Sequence, residues 1–363
     1  MRVILLAPAV SSHAIKWANG LANAGLEVHL VSLHKCHLPL LESIKIYYLP
    51  FGSPLGYFFA VPSLRRLVKL IKPDVINVHY ATGYGTLASL ANIHPRMISV
   101  WGTDIYQFPN KSSIHKWILK MNLLSAETIA ATSNAMATRV KRLCPSSQVF
   151  VTPFGIDEDE FSPKKKERSN KNIIIGTVKT LSYNYGIDIL ITAFSEIINN
   201  QNYLKEKLQL VIVGDGPDKK LLMNQVKRSN IADNVKFVGA VPHSIVPEIL
   251  NEFDIFVSLS RQESFGVAIL EANACGLPVV VTDAEGPLEI TVHKKTGLIV
   301  KKESVPETVQ ALSYLIQNPD IRNIMGQYGR QHVLSHYTWK KSLNEMIFAL
   351  KATINRDYQK NPG

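Results

Sequence analysis

Residues Ser258 to Val281 read SLSRQESFGVAILEANACGLPVVV, and this stretch decides the fold. It leaves an apolar run, Asp254 to Leu259, crosses a polar loop, and enters a helical segment at Gly266 that Pro278 closes before the next apolar run. Strand, loop and helix in that order are the repeating unit of a parallel α/β sheet. The segment carries Glu263 and Glu271, eight positions apart around the glycine. A helix start offers unpaired N–H groups and the positive end of its dipole to an anion, and glycine lets the backbone approach without a side chain in the way. Carboxylates beside such a cradle accept hydrogen bonds from hydroxyls: Glu263 from a sugar ring, and Glu271, just over a turn inside the helix, from a ribose diol. Phosphate flanked by hydroxyls describes a sugar nucleotide.

Working outward, apolar runs alternate with helical patterns along the chain. Val3–Leu6, Val28–Val31, Val75–Val78, Met97–Val100 and Ile129–Ala131 read as buried strands of one Rossmann-like domain. A second series begins at Ile173–Gly176 and continues through Val211, Val235, Ile255, Val279 and Leu298. Between them the charged stretch Pro163–Lys171 (PKKKERSNK) has no apolar periodicity and reads as a linker. The expected layout is an N-terminal domain over 1–156, a linker over 157–171, a second domain over 172–335, and a C-terminal helical segment over 336–363.

The glutamate segment resembles the E-x7-E region of the retaining family 4, or group 1, glycosyltransferases, which have the GT-B fold of two Rossmann-like domains facing across a cleft. Val211–Pro217 (VIVGDGP), Asp233–Gly239 (DNVKFVG), Asp254–Ser258 (DIFVS), Gly286–Ile290 (GPLEI) and Thr296–Val300 (TGLIV) follow the family's order and spacing, and Val151–Pro163 (VTPFGIDEDEFSP) is similar to its interdomain segment. The likeness is strong from about Val151 to Val300 and weaker before it.

The resemblance implies donor binding in the second domain, acceptor binding in the first, and a last helix that crosses back onto the first. Glu271 falls on the donor ribose and Glu263 on the transferred sugar. Ser264, Phe265, Gly266 and Val267 are further donor-binding residues at the helix start, while Gly239 and Val241 either contact the nucleobase through their backbone or form a strand-end turn. Lys179 falls where a cation faces the diphosphate. The second cation the family usually places before the next glycine is absent, since Asn184 and Tyr185 precede Gly186. Leaving-group stabilisation then rests on Lys179, helix N–H groups and Arg261.

The N-terminal signal is sparser. Ser11, Ser12 and His13 follow the first strand, where the family often has a glycine-rich loop. His13 either meets a ligand or simply starts a helix. Trp101 stands where many relatives have histidine and cannot transfer a proton. Asp104 then either orients or deprotonates the acceptor hydroxyl or caps the next helix. His79 and Tyr80 are further cleft candidates, with core packing the favoured reading. Glu289 reads as helix-start structure.

Composition narrows the classes. The 363 residues are 46% hydrophobic, enough for two substantial cores. No apolar stretch is long enough to span a membrane, and MRVILLAPAV reads as a first strand rather than a signal peptide, so a cytoplasmic location is expected. Three widely spaced cysteines, Cys36, Cys144 and Cys275, argue against a disulfide framework or zinc cluster. The D-x-D in Asp157–Glu160 lies in the linker resemblance, and no metal and no resident cofactor are expected beyond the nucleotide-sugar co-substrate. Residues 1–156 hold 15 Lys and Arg against 5 Asp and Glu, whereas 157–363 hold 25 against 24, so the N-terminal domain carries nearly all of the +11 net charge. Leu55–Lys72 (LGYFFAVPSLRRLVKLIK) sets aromatic residues beside Arg65, Arg66, Lys69 and Lys72, a pattern that fits peripheral contact with the inner face of an anionic membrane or an ordinary solvated helix. No nucleic-acid motif is present. The resulting expectation is a retaining, metal-independent hexosyl- or N-acetylhexosaminyl-transferase. It uses a UDP- or GDP-linked sugar and a saccharide or lipid-linked saccharide acceptor, in surface polysaccharide or glycoconjugate synthesis. The alternatives are a GT-B-fold sugar-nucleotide epimerase and a non-catalytic sugar-nucleotide-binding protein.

Overall fold

A computed structural model describes residues 1–164, 172–200 and 206–360, divided into two units: Met1–Pro153 with Lys340–Gly363, and Phe154–Trp339. The first is built on a seven-stranded parallel sheet: β1 (Arg2–Leu6), β2 (Glu27–Ser32), β3 (Lys45–Tyr48), β4 (Val75–His79), β5 (Arg96–Val100), β6 (Thr128–Ala131) and β7 (Gln148–Val151), in the order β3-β2-β1-β4-β5-β6-β7. The second has six parallel strands: β8 (Ile173–Val178), β9 (Leu208–Val213), β10 (Val235–Gly239), β11 (Ile255–Ser258), β12 (Val279–Thr282) and β13 (Gly297–Val300), in the order β10-β9-β8-β11-β12-β13.

The pattern has a physical cause. Parallel strands joined by crossover helices are covered on both faces, so they must be apolar throughout. Accordingly every residue of β4, β5, β11 and β12 is buried. The edge strands β3 (KIYY) and β7 (QVFV) are only partly covered. They lack a continuous apolar run, and the sequence pattern did not mark them.

Each sheet has one place where strand order reverses, between β1 and β4 and between β8 and β11. Chains leaving two such strands diverge to opposite faces, which opens a crevice at their carboxyl ends. Lys179 directly follows β8 and Glu263 lies in the loop after β11, so the topology delivers both to one crevice.

From Lys340 onward the helix Trp339–Lys360 belongs with the first unit. There Thr353 Oγ1 lies 2.5 Å from Thr128 Oγ1 on β6, and Phe348 meets Phe150 of β7. The stretch expected as a linker is partly structural. Residues 157–164 pack into the second unit, with Phe161 buried and Asn251 bonded to Ser162 O and Lys164 N, while 165–171 lie outside the described residues. The acidic run is a turn, in which Asp157 Oδ1 accepts from the N–H groups of Asp159 and Glu160. Among the described residues no helix is long and apolar enough to cross a membrane.

Candidate functional site

In the second unit the strand ends are laced together. Lys179 N donates to Val213 O, Gly214 N to Gly239 O, and Leu181 N to Asp215 O. Gly214 permits this: its φ of +133° is open only to glycine, and a Cβ there would overlap the Lys179 carbonyl oxygen. Lys179, Gly214 and Gly239 therefore line up along the carboxyl edge of β8, β9 and β10. At Gly239 a Cβ would meet nothing within 4 Å, so its backbone faces open space.

Lys179 Nζ lies 2.5 Å from Glu263 Oε2, and both side chains are nearly buried. Ser260 Oγ donates to the same oxygen at 3.2 Å, and the ammonium sits 5.1 Å from the Tyr185 ring centroid. The ring stands beside the ammonium in the segment where the family's second cation is missing. Pairing lets both charges persist at low exposure, where either alone would carry a heavy desolvation penalty.

Downstream, Glu263 O accepts from Gly286 N at 3.0 Å, which anchors the loop. Phe265 is buried against Phe154 and Tyr337, so its contribution to any ligand is through its backbone. Ser264 precedes it, half-buried. Gly266 caps the helix Val267–Ala274 with a φ of +110°, which leaves the first-turn N–H groups of Val267 and Ala268 without intrahelical acceptors. Glu271 lies in this helix with its side chain 7% exposed, and its Oε1 accepts from His243 Nε2 at 2.7 Å. His243 follows the half-buried Val241 and the exposed Pro242. Sequence reasoning missed this histidine, because nothing in its local pattern marks it and its partner is 28 positions away.

Three further residues are held by partners inside the protein. The Arg261 guanidinium forks onto Asp188 at 2.9 and 2.7 Å, donates to Glu303 and to Tyr183 O, and stacks over the Tyr183 ring. The Asp188 hydrogen bonds raise its pKa above the ordinary arginine value. Asp104 is buried and accepts from the N–H groups of Ala81, Trp101 and Gly102, which holds the β4 and β5 loops together; burial raises its pKa and the backbone bonds oppose that rise. Glu289 lies at the end, not the start, of the helix Glu285–Ile290.

In the first unit the aromatic residues collect at the corresponding strand ends. Trp101 packs between His79 (4.5 Å between centroids), Tyr80 (4.9 Å) and His13 (5.9 Å). His79 is fully buried and neither ring nitrogen has a hydrogen-bond partner among the described residues; desolvation, helped by His13, lowers its pKa to about 3. It is a core residue. His13 lies in the first turn of the helix Ser12–Asn23, half-buried. At the amino ends of β5 and β6, His94, Glu127 and Asp357 bring ligand atoms within 4.8 Å of one another, but Glu127 is already bonded to His94 and to Arg96 N.

Comparison with known proteins agrees with this architecture. Residues 158–332 match the family described as glycosyl transferases group 1, and residues 2–133 match glycosyl transferase 4-like. The chain is 30% identical over 313 residues to a phosphatidylinositol N-acetylglucosaminyltransferase component of Arabidopsis thaliana, covering 82% of this chain and 67% of that relative. The chain is a group 1 glycosyl transferase. Its GT-B fold is shared with sucrose-phosphate synthase from Thermosynechococcus elongatus, at a TM-score of 0.82 and 17% identity over 95% of this transferase and 97% of that one. It is shared also with Anabaena HepE, crystallised with UDP and glucose, at a TM-score of 0.78 and 18% identity over 97% of this chain and 100% of that one. For this transferase the crevice residues Lys179, Glu263 and Glu271 thus lie in the unit that matches the group 1 family.

Proposed function

We propose that this glycosyltransferase moves a hexose-type sugar from a UDP- or GDP-linked donor to a lipid-linked saccharide, with retention of anomeric configuration. The observation that carries this reading is the pairing of Lys179 with Glu263 at the carboxyl ends of β8 and β11, on the segment that continues into the Gly266 helix start and Glu271. A donor diphosphate at the helix start would meet the N–H groups of Val267 and Ala268, with Lys179 as counter-cation. Glu271 would accept from the ribose diol and Glu263 from the sugar hydroxyls. As the bond from the anomeric carbon to the diphosphate oxygen breaks, positive charge grows on the sugar, and the Glu263 carboxylate would stabilise it. The acceptor oxygen bonds to the anomeric carbon on the face the diphosphate leaves, and its proton passes to the departing phosphate. This route calls on no protein nucleophile and no resident cofactor.

The relative named for phosphatidylinositol supports a lipid-linked acceptor, and the surface of the first unit supports contact with an anionic membrane. Its helix Ser113–Leu124 exposes Ile114, Trp117, Met121 and Leu124 along one stripe, beside Lys116 and Lys120. The helix Val61–Ile71 adds exposed Arg66, Lys69 and Leu70, whereas Arg65 is turned in to donate to Leu90 O and Ala91 O. Neither helix contains an acidic residue.

The test is a saturation-transfer NMR screen of UDP-, GDP- and ADP-sugars on wild type and Glu271→Ala, followed by nucleotide release with lipid-linked acceptors. One donor that binds wild type, fails to bind the variant and releases nucleotide only with acceptor is expected. No donor binding by the folded protein would refute the reading. A donor converted to its epimer without acceptor would make the protein an epimerase, and binding without turnover a sensor.

A further inference from the structure

The Glu271 carboxylate sits on a helix whose residues Ile269–Ala274 are buried, and among the described residues His243 is the one side chain hydrogen-bonded to it. His243 comes from a separate element, the turn His243–Ile245 that follows β10, and its side chain is 57% exposed. Its ring rests on Phe161 at 5.4 Å, and Phe161 is itself buried, with its carbonyl held by Arg330. The histidine is thus supported from behind and exposed in front. A carboxylate only accepts hydrogen bonds, so Nε2 carries the hydrogen, and it occupies Oε1.

We infer that His243 is a positioning residue for donor binding: it locks the Glu271 rotamer through Oε1 and leaves Oε2 directed at the donor's ribose hydroxyls. The inference rests on the reading of Glu271 as a donor residue. Without the histidine, the carboxylate on its flexible stem would sample other rotamers and lose affinity to the ordering that binding then requires. The same contact joins two parts of the site. Gly239 ends β10 and Val241 lies on the loop from there to His243, so one hydrogen bond ties the segment expected at the nucleobase to the carboxylate expected at the ribose. A donor that orders one end orders the other.

The experiment measures affinity for UDP and GDP by calorimetry, and KM and kcat for the donor identified above. The proteins are wild type, His243→Ala, His243→Gln, Glu271→Ala and the double variant His243→Ala/Glu271→Ala. Loss of a hydrogen bond to a charged, nearly buried partner predicts about 5- to 20-fold weaker nucleotide binding and a matching rise in KM for His243→Ala, with kcat within about twofold. His243→Gln, whose amide N–H reaches the same oxygen, recovers most of the loss. The double variant binds no more weakly than Glu271→Ala, because the histidine acts only through the glutamate. Unchanged affinity in His243→Ala, or a double variant weakened by the product of both single effects, overturns the inference; the second outcome would mean direct contact with the donor. If Glu271→Ala itself binds as wild type, the donor reading of Glu271 fails instead. His243 is exposed, so its variants are expected to unfold at the wild-type temperature, and calorimetric scans verify that.

Discussion

Replacing Arg261 with alanine separates a ligand-facing arginine from a structural one. The side chain is 14% exposed and links three places: Asp188 in the first turn of the helix Ile187–Asn200, the Tyr183 carbonyl and ring, and Glu303 after β13. The fork onto Asp188, whose carboxylate is 38% exposed, is worth about 1–1.5 kcal/mol after solvent screening. The bond to the Tyr183 carbonyl adds about 1 kcal/mol and the stacking about 0.5 kcal/mol. The variant should therefore lose about 3 kcal/mol, which for a unit of this size lowers Tm by roughly 6–12 °C. Arg261→Lys keeps one contact and should recover less than half, because an ammonium cannot fork onto a carboxylate. Urea unfolding and differential scanning calorimetry measure the loss, and nucleotide affinity is measured in parallel below the transition. A stability loss under about 1 kcal/mol together with tenfold weaker nucleotide binding would refute the structural assignment and restore Arg261 to the ligand.

Further outcomes follow from other parts of the molecule. Gly214→Ala forces a side chain into a positive-φ position against the Lys179 carbonyl; it should cost at least about 2 kcal/mol in urea unfolding and raise the donor KM by displacing Lys179, and a variant as stable as wild type would contradict the packing. Trp117→Ala, at a site 63% exposed, should leave Tm unchanged and weaken cosedimentation with phosphatidylglycerol vesicles about tenfold; equal partitioning would remove the membrane role. His79 is held neutral by burial, so the unfolded chain takes up a proton near pH 6.5 that the folded protein refuses until about pH 3. Stability contributed there falls as pH drops through that window, by at most about 1.4 kcal/mol per pH unit. The difference in urea midpoint between pH 7 and pH 4 should shrink in His79→Gln, and an unchanged slope would mean that His79 is accessible to protons.

Much of the fold was written locally. Strands such as β8, β11 and β12 announce themselves because burial on both faces demands unbroken apolar runs, and Gly266 and Pro278 bracket the helix between β11 and β12 for steric reasons that act within a few residues. The Glu263–Gly266–Glu271 spacing was legible for the same reason. β3 and β7 were not, since a half-covered edge tolerates lysine, tyrosine and glutamine. Asp104 was legible as a cap or a base but not as one of the two, because the choice depends on whether its oxygens meet backbone N–H groups from a neighbouring loop.

From the sequence alone came the alternation of strand and helix, the two-unit parallel architecture and the identity of the carboxylates, all consequences of periodicity and of side chains a few positions apart. Which charges meet was decided by tertiary structure. Lys179 and Glu263 are separated by 84 positions and pair because the strand order reverses between β8 and β11. Arg261 pairs with Asp188, 73 positions earlier, and His243 with Glu271, 28 positions later. Hydrogen bonds and ion pairs act over about 3 Å, and only the closed fold brings such distant residues within that range.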